Sequence, residues 1–420
     1  MAGLRLRSAV AVCAIASLSA CSGEISSDAR LSDGAAGSGG SLAENGNGGE
    51  PGTGGTPSLG AGGMGGSTSA GGMGGGGFPG TGGSGGGEAG GTGGDPIDPP
   101  AGTVPMFVAQ GQAGRTIISC DDGRTWVADR SDEAWGYCSD HDCDHGPGAG
   151  HGITWGDGWF FASFGWGAPG ALKRSRDGVT WQSVIDGTQF GGVVFGDGRL
   201  VAADRQGRYS DDLGDTWRDF ARVELDGWTV RSAGFVPYGG GRFIMYADNE
   251  LVVSTDGSTW TKPSSIPAAC KAGGYQGRIL YGNGTIVMTP NDAPVCYSTD
   301  GGETWSTSPD AGFLRSNGVW TGSEFLAWSY GTVYRSVDGR NWTSSDTVPK
   351  DIDFGVTAIS DTGTIVGVSS GWQQDYDAQV FYRSEDGVHW EALPSRDYVG
   401  GHPIRVIAFG HGRPSTQCPL

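Results

Sequence analysis

The chain has 420 residues, with 27 Lys and Arg against 46 Asp and Glu, a formal net charge of −19. Binding a phosphate backbone needs a basic face, so this balance argues against nucleic acid as a partner and against a polybasic grip on acidic lipid. Gly accounts for 82 residues, far more than one folded domain uses, so part of the chain is not built to fold.

Residues 1–20 open with Arg5 and Arg7 and continue as an apolar run from Ala9 to Ala20. That run is too short to cross a bilayer and reads as a signal peptide. Its end, Leu18-Ser19-Ala20-Cys21, resembles the bacterial lipobox, which implies cleavage before Cys21 and lipidation of its thiol. Ordinary signal cleavage after a small residue is the alternative. With Ser22 next, the usual lipoprotein sorting rule implies the outer membrane, with the lipid as the one membrane contact. Residues 21–103 form a linker in which, from Gly34 to Gly94, Gly pairs alternate with Ser, Thr, Ala, Met and Pro. It has too few large apolar groups to offset the entropy of ordering Gly and is expected to act as a flexible tether.

From residue 104 to residue 420 the chain repeats. Three segments read S-x-D-x-G-x-x-W, with acids Asp121, Asp212 and Asp300, and four read S-x-D-G-x-x-W, with Asp177, Asp256, Asp338 and Asp386. Each is expected to be a hairpin turn in which Ser and Asp oxygens accept turn N–H groups, Gly supplies a positive φ and Trp returns to the core. Seven such copies at blade-sized spacing resemble the Asp-box, or BNR-repeat, proteins, which include sialidases, sortilin-type receptors, polysaccharide glycosidases and a photosystem II assembly factor. The resemblance covers everything after the linker. It implies an all-β fold, a seven-bladed propeller of four-stranded antiparallel blades, with the seven box acids in structural roles.

A second element precedes each box: two β-rich runs around a tight Gly turn, as in Ile153–Ala162, Val193–Ala202 and Ile279–Met288. Six are complete and the seventh is split between residues 406–412 and residues 106–109. The ring is therefore expected to close by pairing the last strand into the first blade. Cys120 and Cys418 would then lie on the same side of the closure and could lock it, although six cysteines beyond the signal region allow 15 pairings.

The loop-rich face, opposite the boxes, is where a ligand is expected. Aligning the blades puts His151, Gly191, Arg231, Gly277, Ser316, Gly355 and Arg405 at one position at the channel mouth, with Arg278 and Arg315 one residue away. These arginines could converge on an anion, or each could pair with a neighbouring acid such as Asp351, Asp353 or Asp397. Tyr275, Trp166 and Trp372 could stack on sugars or pack into the blade tops. His141, Asp142, Asp144 and His145 are ligand types for a divalent metal, but no standard zinc spacing is met and Cys138 and Cys143 fit a local disulfide. No other cofactor is expected.

Sialidases hold a carboxylate with three arginines, yet this chain lacks their Arg-Ile-Pro motif and an assignable Tyr and Glu pair, and sialidases usually have six blades. A polysaccharide glycosidase needs two opposed carboxylates, for which Asp353, Asp375 and Asp397 are the candidates. G-x-S-x-G and HExxH are absent. The sequence thus reads as a non-catalytic surface module binding a glycan, an anionic group or a surface protein, with a glycoside hydrolase as the alternative and no catalytic residue assigned.

Overall fold

The computed structural model describes residues 100–111, 114–130, 149–165, 170–204, 207–220, 238–247, 250–271, 278–289, 294–309, 318–329, 331–345, 348, 354–369, 380–393 and 404–420. They form seven antiparallel sheets. The first begins with β1 (Val104–Gly111), β2 (Thr116–Ser119) and β3 (Val127–Arg130). The second is β4 (Ala149–Gly156), β5 (Trp159–Gly165), β6 (Ala171–Ser175) and β7 (Gln182–Asp186). The third is β8 (Gly192–Gly196), β9 (Arg199–Ala203), β10 (Arg208–Ser210) and β11 (Arg218–Asp219), and the fourth is β12 (Tyr238–Gly239), β13 (Arg242–Ala247) and β14 (Glu250–Ser254). A short helix, α1 (Ala268–Lys271), separates these from the fifth sheet: β15 (Arg278–Gly282), β16 (Thr285–Thr289), β17 (Cys296–Ser298) and β18 (Ser306–Thr307). The sixth holds β19 (Gly318–Trp320), β20 (Phe325–Ser329), β21 (Thr332–Ser336) and β22 (Thr343–Ser345). The seventh holds β23 (Phe354–Ile359), β24 (Ile365–Ser369), β25 (Phe381–Ser384) and β26 (Glu391–Ala392). The final strand, β27 (Ile404–Gly412), returns to the first sheet and pairs with β1 from Val104 opposite Gly412 to Gln110 opposite Val406. The result is a seven-bladed β-propeller closed by its two terminal strands, as the split seventh hairpin predicts.

Local chemistry explains the hairpins. Between β4 and β5, β8 and β9, and β15 and β16, the two turn residues both have positive φ: Asp157 and Gly158, Asp197 and Gly198, Asn283 and Gly284. That is the turn whose twist matches a hairpin, and Asp or Asn followed by Gly is the pair that adopts it at least cost. In the fourth blade Gly240 and Gly241 do the same.

Each of the seven Ser-Asp segments is a turn between the third strand and the outermost position. In all seven the Ser hydroxyl donates to the Asp carboxylate at 2.7–3.2 Å. In all seven the N–H just before the Trp donates to that carboxylate at 2.7–2.9 Å. The carboxylate is therefore the hub of the turn. Five of the Trp rings donate Nε1–H to the turn Gly carbonyl at 2.9–3.2 Å. Glycine is required twice over. Its φ lies between 65° and 90° in every copy, and an added Cβ would come within 2.5–3.3 Å of a branched aliphatic side chain on the preceding blade, such as Val366 at Gly123 or Val287 at Gly339.

The turns also latch blade to blade. A side-chain N–H of one blade donates to a turn carbonyl of its neighbour: Arg130 to Val179, Arg174 to Leu213, Arg199 to Asp256, Asn283 to Val337, Arg335 to Asp386 and Arg383 to Asp122. Between the fourth and fifth blades Arg242 instead faces Glu303 at 4.0 Å. The fourth blade departs from the expected four strands. Its outermost position is reduced to one bridge, Val253 to Thr261, because Pro263 follows and cannot donate to a ladder. The chain then crosses to the fifth blade, where Ser264 N–H donates to the Glu303 carbonyl at 2.8 Å and Trp305 N–H to the Ser265 carbonyl at 2.9 Å. A Cys270–Cys296 disulfide fastens that crossing.

The closure carries three further ties. Cys120 and Cys418 form a disulfide with Cα atoms 5.8 Å apart, the pairing that ring closure suggests. His411 Nε2 lies 2.6 Å from Asp361 Oδ2 of the seventh blade. Asp122 accepts hydroxyls of Ser360, Thr362 and Thr364 on that blade. The core lies between blades, for example Val108, Ile118, Ile153 and Phe160 between the first and second. Cys138 and Cys143 lie outside the described residues. Among the described residues, no helix is long and apolar enough to cross a membrane.

Candidate functional site at the channel mouth

In a four-stranded meander the first and third turns fall at one end, so the hairpin turns and Ser-Asp turns occupy one face and the starts of the inner strands the other. At that second end three of the aligned positions share a backbone feature. His151 is the extra residue of a β-bulge, for Gly150 pairs with Phe164 and Gly152 with Ser163. Arg405 is the extra residue between Ile404, opposite Gly111, and Val406, opposite Gln110. Gly355 occupies the same bulge in the seventh blade. In the third, Gly191 N–H donates to the Ala203 carbonyl at 2.7 Å although Gly192 is the paired residue. A bulge takes one residue out of the ladder and re-aims its side chain, which is why bulges recur beside binding sites.

His151 and Arg405 therefore stand on equivalent bulges of two adjacent inner strands. Gly150 and Gly152 flank the histidine and let the strands close in. An added Cβ on Gly150 would lie 3.4 Å from the Gly111 carbonyl, and one on Gly152 would lie 2.8 Å from Val193 N. The imidazole lies over Gly165, where a Cβ would come within 3.5 Å of Cδ2. Burial, and then the positive charge of Arg405, hold the His151 pKa down to about 4, since both disfavour the imidazolium. At neutral pH a buried, neutral imidazole thus stands beside a permanent cation at this end of the blades.

The neighbouring end of the first blade is stitched by groups that the sequence reading did not single out. Arg115, fully buried, makes a bidentate pair with Asp129, both bonds at 2.8 Å. Gln110 donates to Thr116 at 2.6 Å, while its buried Oε1 has no partner among the described residues. Spacing in the sequence does not reveal the ion pair, since fourteen residues separate Arg115 from Asp129.

Of the other candidates, Arg278 begins β15 opposite Thr289. Arg231, Arg315, Tyr275, Trp166 and Trp372 lie outside the described residues, as do His141, Asp142, Asp144, His145, Asp353, Asp375 and Asp397. Among the described residues no group of three His, Cys, Asp or Glu is placed to hold a metal.

No family model matches the chain, and no curated protein does. The architecture is similar to that of solved propellers. YCF48 from Cyanidioschyzon merolae is 14% identical over 63% of this chain and 85% of that one, with a TM-score of 0.42. A structure of YCF48 bound to D1 peptide is 15% identical over 71% and 96%, with a TM-score of 0.41. The GH74 xyloglucanase from Xanthomonas campestris is 15% identical over 78% of this chain and 54% of that one, with a TM-score of 0.44.

Proposed function

We propose that the chain is an Asp-box propeller that binds the anionic group of a glycan or of a surface protein at its channel mouth, without catalysis. The observation that carries this reading is the pair of equivalent bulges that bring His151 and Arg405 together on adjacent inner strands. Arg231 and Arg315, at or next to the same aligned position, would extend the cationic side of the mouth. Cys21 carries the lipid that holds the module at the outer membrane, and the Gly-rich segment gives the propeller reach.

The test is an array of acidic and neutral glycans probed with the full chain, followed by hydrolysis assays on every glycan retained. Binding of acidic glycans without turnover is expected, weakened about tenfold to a hundredfold by Arg405→Ala, since a hydrogen bond to a charged group contributes about 1.5–3 kcal/mol. Turnover would overturn the non-catalytic assignment and turn attention to Asp353, Asp375 and Asp397. Acidic glycans held equally well by Arg405→Ala would remove the channel mouth from the reading.

A further inference from the structure

A second arginine pair stands on the opposite face. Arg176 occupies the Ser-Asp turn of the second blade, and Arg413 follows β27. The Arg413 N–H donates to the Arg176 carbonyl at 2.6 Å, so the two backbones are joined. The tail beyond is fixed as well: Cys418 N–H donates to the Ser415 hydroxyl at 3.1 Å, and Cys418 is tied to Cys120. On the other side the Arg176 guanidinium lies 4.1 Å from the centroid of Trp159, whose ring also takes Arg174 at 4.7 Å. Stacking on an indole holds a guanidinium in one plane while leaving its N–H groups available.

The neighbouring arginines show what is unusual here. Arg174 is paired with Asp215, Arg199 with Asp211, Arg124 with Glu385 and Arg383 with both Asp122 and Glu385. Arg176 and Arg413 make no ion pair among the described residues, in a chain with 46 acids. Burial, and then the charges of Arg413 and Arg174, hold Arg176 below the usual guanidinium range, with the charge of Asp157 offsetting them only in part. The charge of Arg413 thus acts on Arg176 in the same direction as burial. Two guanidinium groups on hydrogen-bonded backbones, close enough for one charge to act on the other, can donate together to a single oxyanion.

We infer that Arg176 and Arg413 form a phosphate-binding clip on the turn face, independent of the channel mouth. A bound dianion would relieve the repulsion between the two guanidinia. The same chemistry is offered by free phosphate and by the phosphate of a lipid headgroup.

The experiment titrates the full-length Cys21→Ser chain, which has no acyl anchor, with inorganic phosphate by calorimetry at low ionic strength, and in parallel measures its retention on phosphatidylglycerol and phosphatidylcholine vesicles. The variants are Arg413→Gln, Arg176→Gln and, as a control on the same face, Arg124→Gln. Phosphate affinity should fall about tenfold in each of the first two and stay unchanged in the control, because each loses one charged fork. The Arg413 side chain is exposed, so Arg413→Gln should leave the melting temperature unchanged even if Arg176→Gln, which strips Trp159 of a stacking partner, does not. Phosphate binding without vesicle retention assigns a soluble oxyanion. Retention on phosphatidylglycerol vesicles alone that depends on Arg413 assigns the headgroup. Absence of both, or binding that Arg413→Gln leaves intact, overturns the clip.

Discussion

Replacing Cys120 and Cys418 with Ser tests how the ring is held shut. The bond joins residues separated by 298 positions, against 26 for Cys270 and Cys296. Loop-closure entropy grows with the logarithm of loop length, so releasing the long loop should cost about 5–6 kcal/mol at 25 °C and releasing the short one about 3.5 kcal/mol. Both are upper bounds, because the reduced chains keep some residual structure, but their order is fixed by loop length. Urea unfolding of the two double-Ser variants, followed by Trp fluorescence, measures the difference. Hydrogen exchange localises it: amides of β27 and β1 should lose protection in the Cys120→Ser, Cys418→Ser variant, whereas those of β16 should not. The reasoning fails if the long-loop variant loses no more stability than the short-loop one, or if protection in β27 is unchanged. In that case the terminal pairing and the Asp122 and His411 contacts hold the closure without covalent help.

The double demand on the turn glycines can be isolated by comparing two alanines. Gly339 has φ +72° and would bring a Cβ to 2.5 Å from Val287, whereas Gly284 has φ +71° with nothing within 4 Å. Gly284→Ala should therefore cost only the left-handed strain, about 1–2 kcal/mol, and Gly339→Ala about 2–5 kcal/mol once overpacking is added, as read by chemical denaturation. Equal losses would mean that the blade interface gives way. Acid should weaken the propeller in two stages. His151 has a folded value of about 4, below its unfolded value near 6.5, so the unfolded chain binds the extra proton and stability declines as pH falls from about 6.5 to about 4. Asp212 is held down to about 2 by the Thr216 hydroxyl and N–H and the Ser210 hydroxyl. Asp338 also lies at about 2, where burial, which would raise it, is outweighed by the N–H groups of Asn341 and Arg340. Their contribution is complete above about 4 and is lost as pH falls from there toward about 2. Melting temperature against pH should show both stages, and Arg405→Met should shrink the first by letting His151 rise; a profile flat from about pH 6.5 to about pH 4 would refute the assignment.

What could be read from the sequence was local. The Ser-Asp turns and the Asp-Gly and Asn-Gly hairpins are short segments that carry their own chemistry, and each appears in the structure where that chemistry places it. Even the split seventh hairpin was legible, because each half keeps its local pattern. The latches escaped because Arg383 and Asp122 are 261 residues apart and meet only once the ring closes. One repeated signal was present and unread: an aromatic residue followed by Gly ends most inner strands, at Trp155, Phe195, Tyr238, Tyr281 and Phe409. The structure shows the reason, since four of these rings pack over the corresponding Gly of the previous blade: Trp155 over Gly410, Phe195 over Gly156, Tyr238 over Gly196 and Tyr281 over Gly239. At the mouth, alignment found the equivalence of His151 and Arg405 but not the bulge they share. A bulge is a two-against-one count between strands, and one strand's sequence does not contain it.

The two ends of each blade answer to different physics, and this decides where specificity can reside. On the turn face, every Ser-Asp segment repeats the same hydrogen bonds and presses its Gly against the preceding blade, so a substitution there is felt as lost packing between blades. At the channel mouth, the bulge repeats while the residue on it changes, from Gly355 to Arg405 to His151 around three consecutive blades. The backbone is thus held constant by the ring and the side chain is left to vary, which is the condition under which a symmetric scaffold recognises an asymmetric ligand. Arg405 adds a dependence that His151 does not have. It sits on β27, which reaches the first blade only through closure, so the cationic side of the mouth exists only when the two ends of the propeller have met.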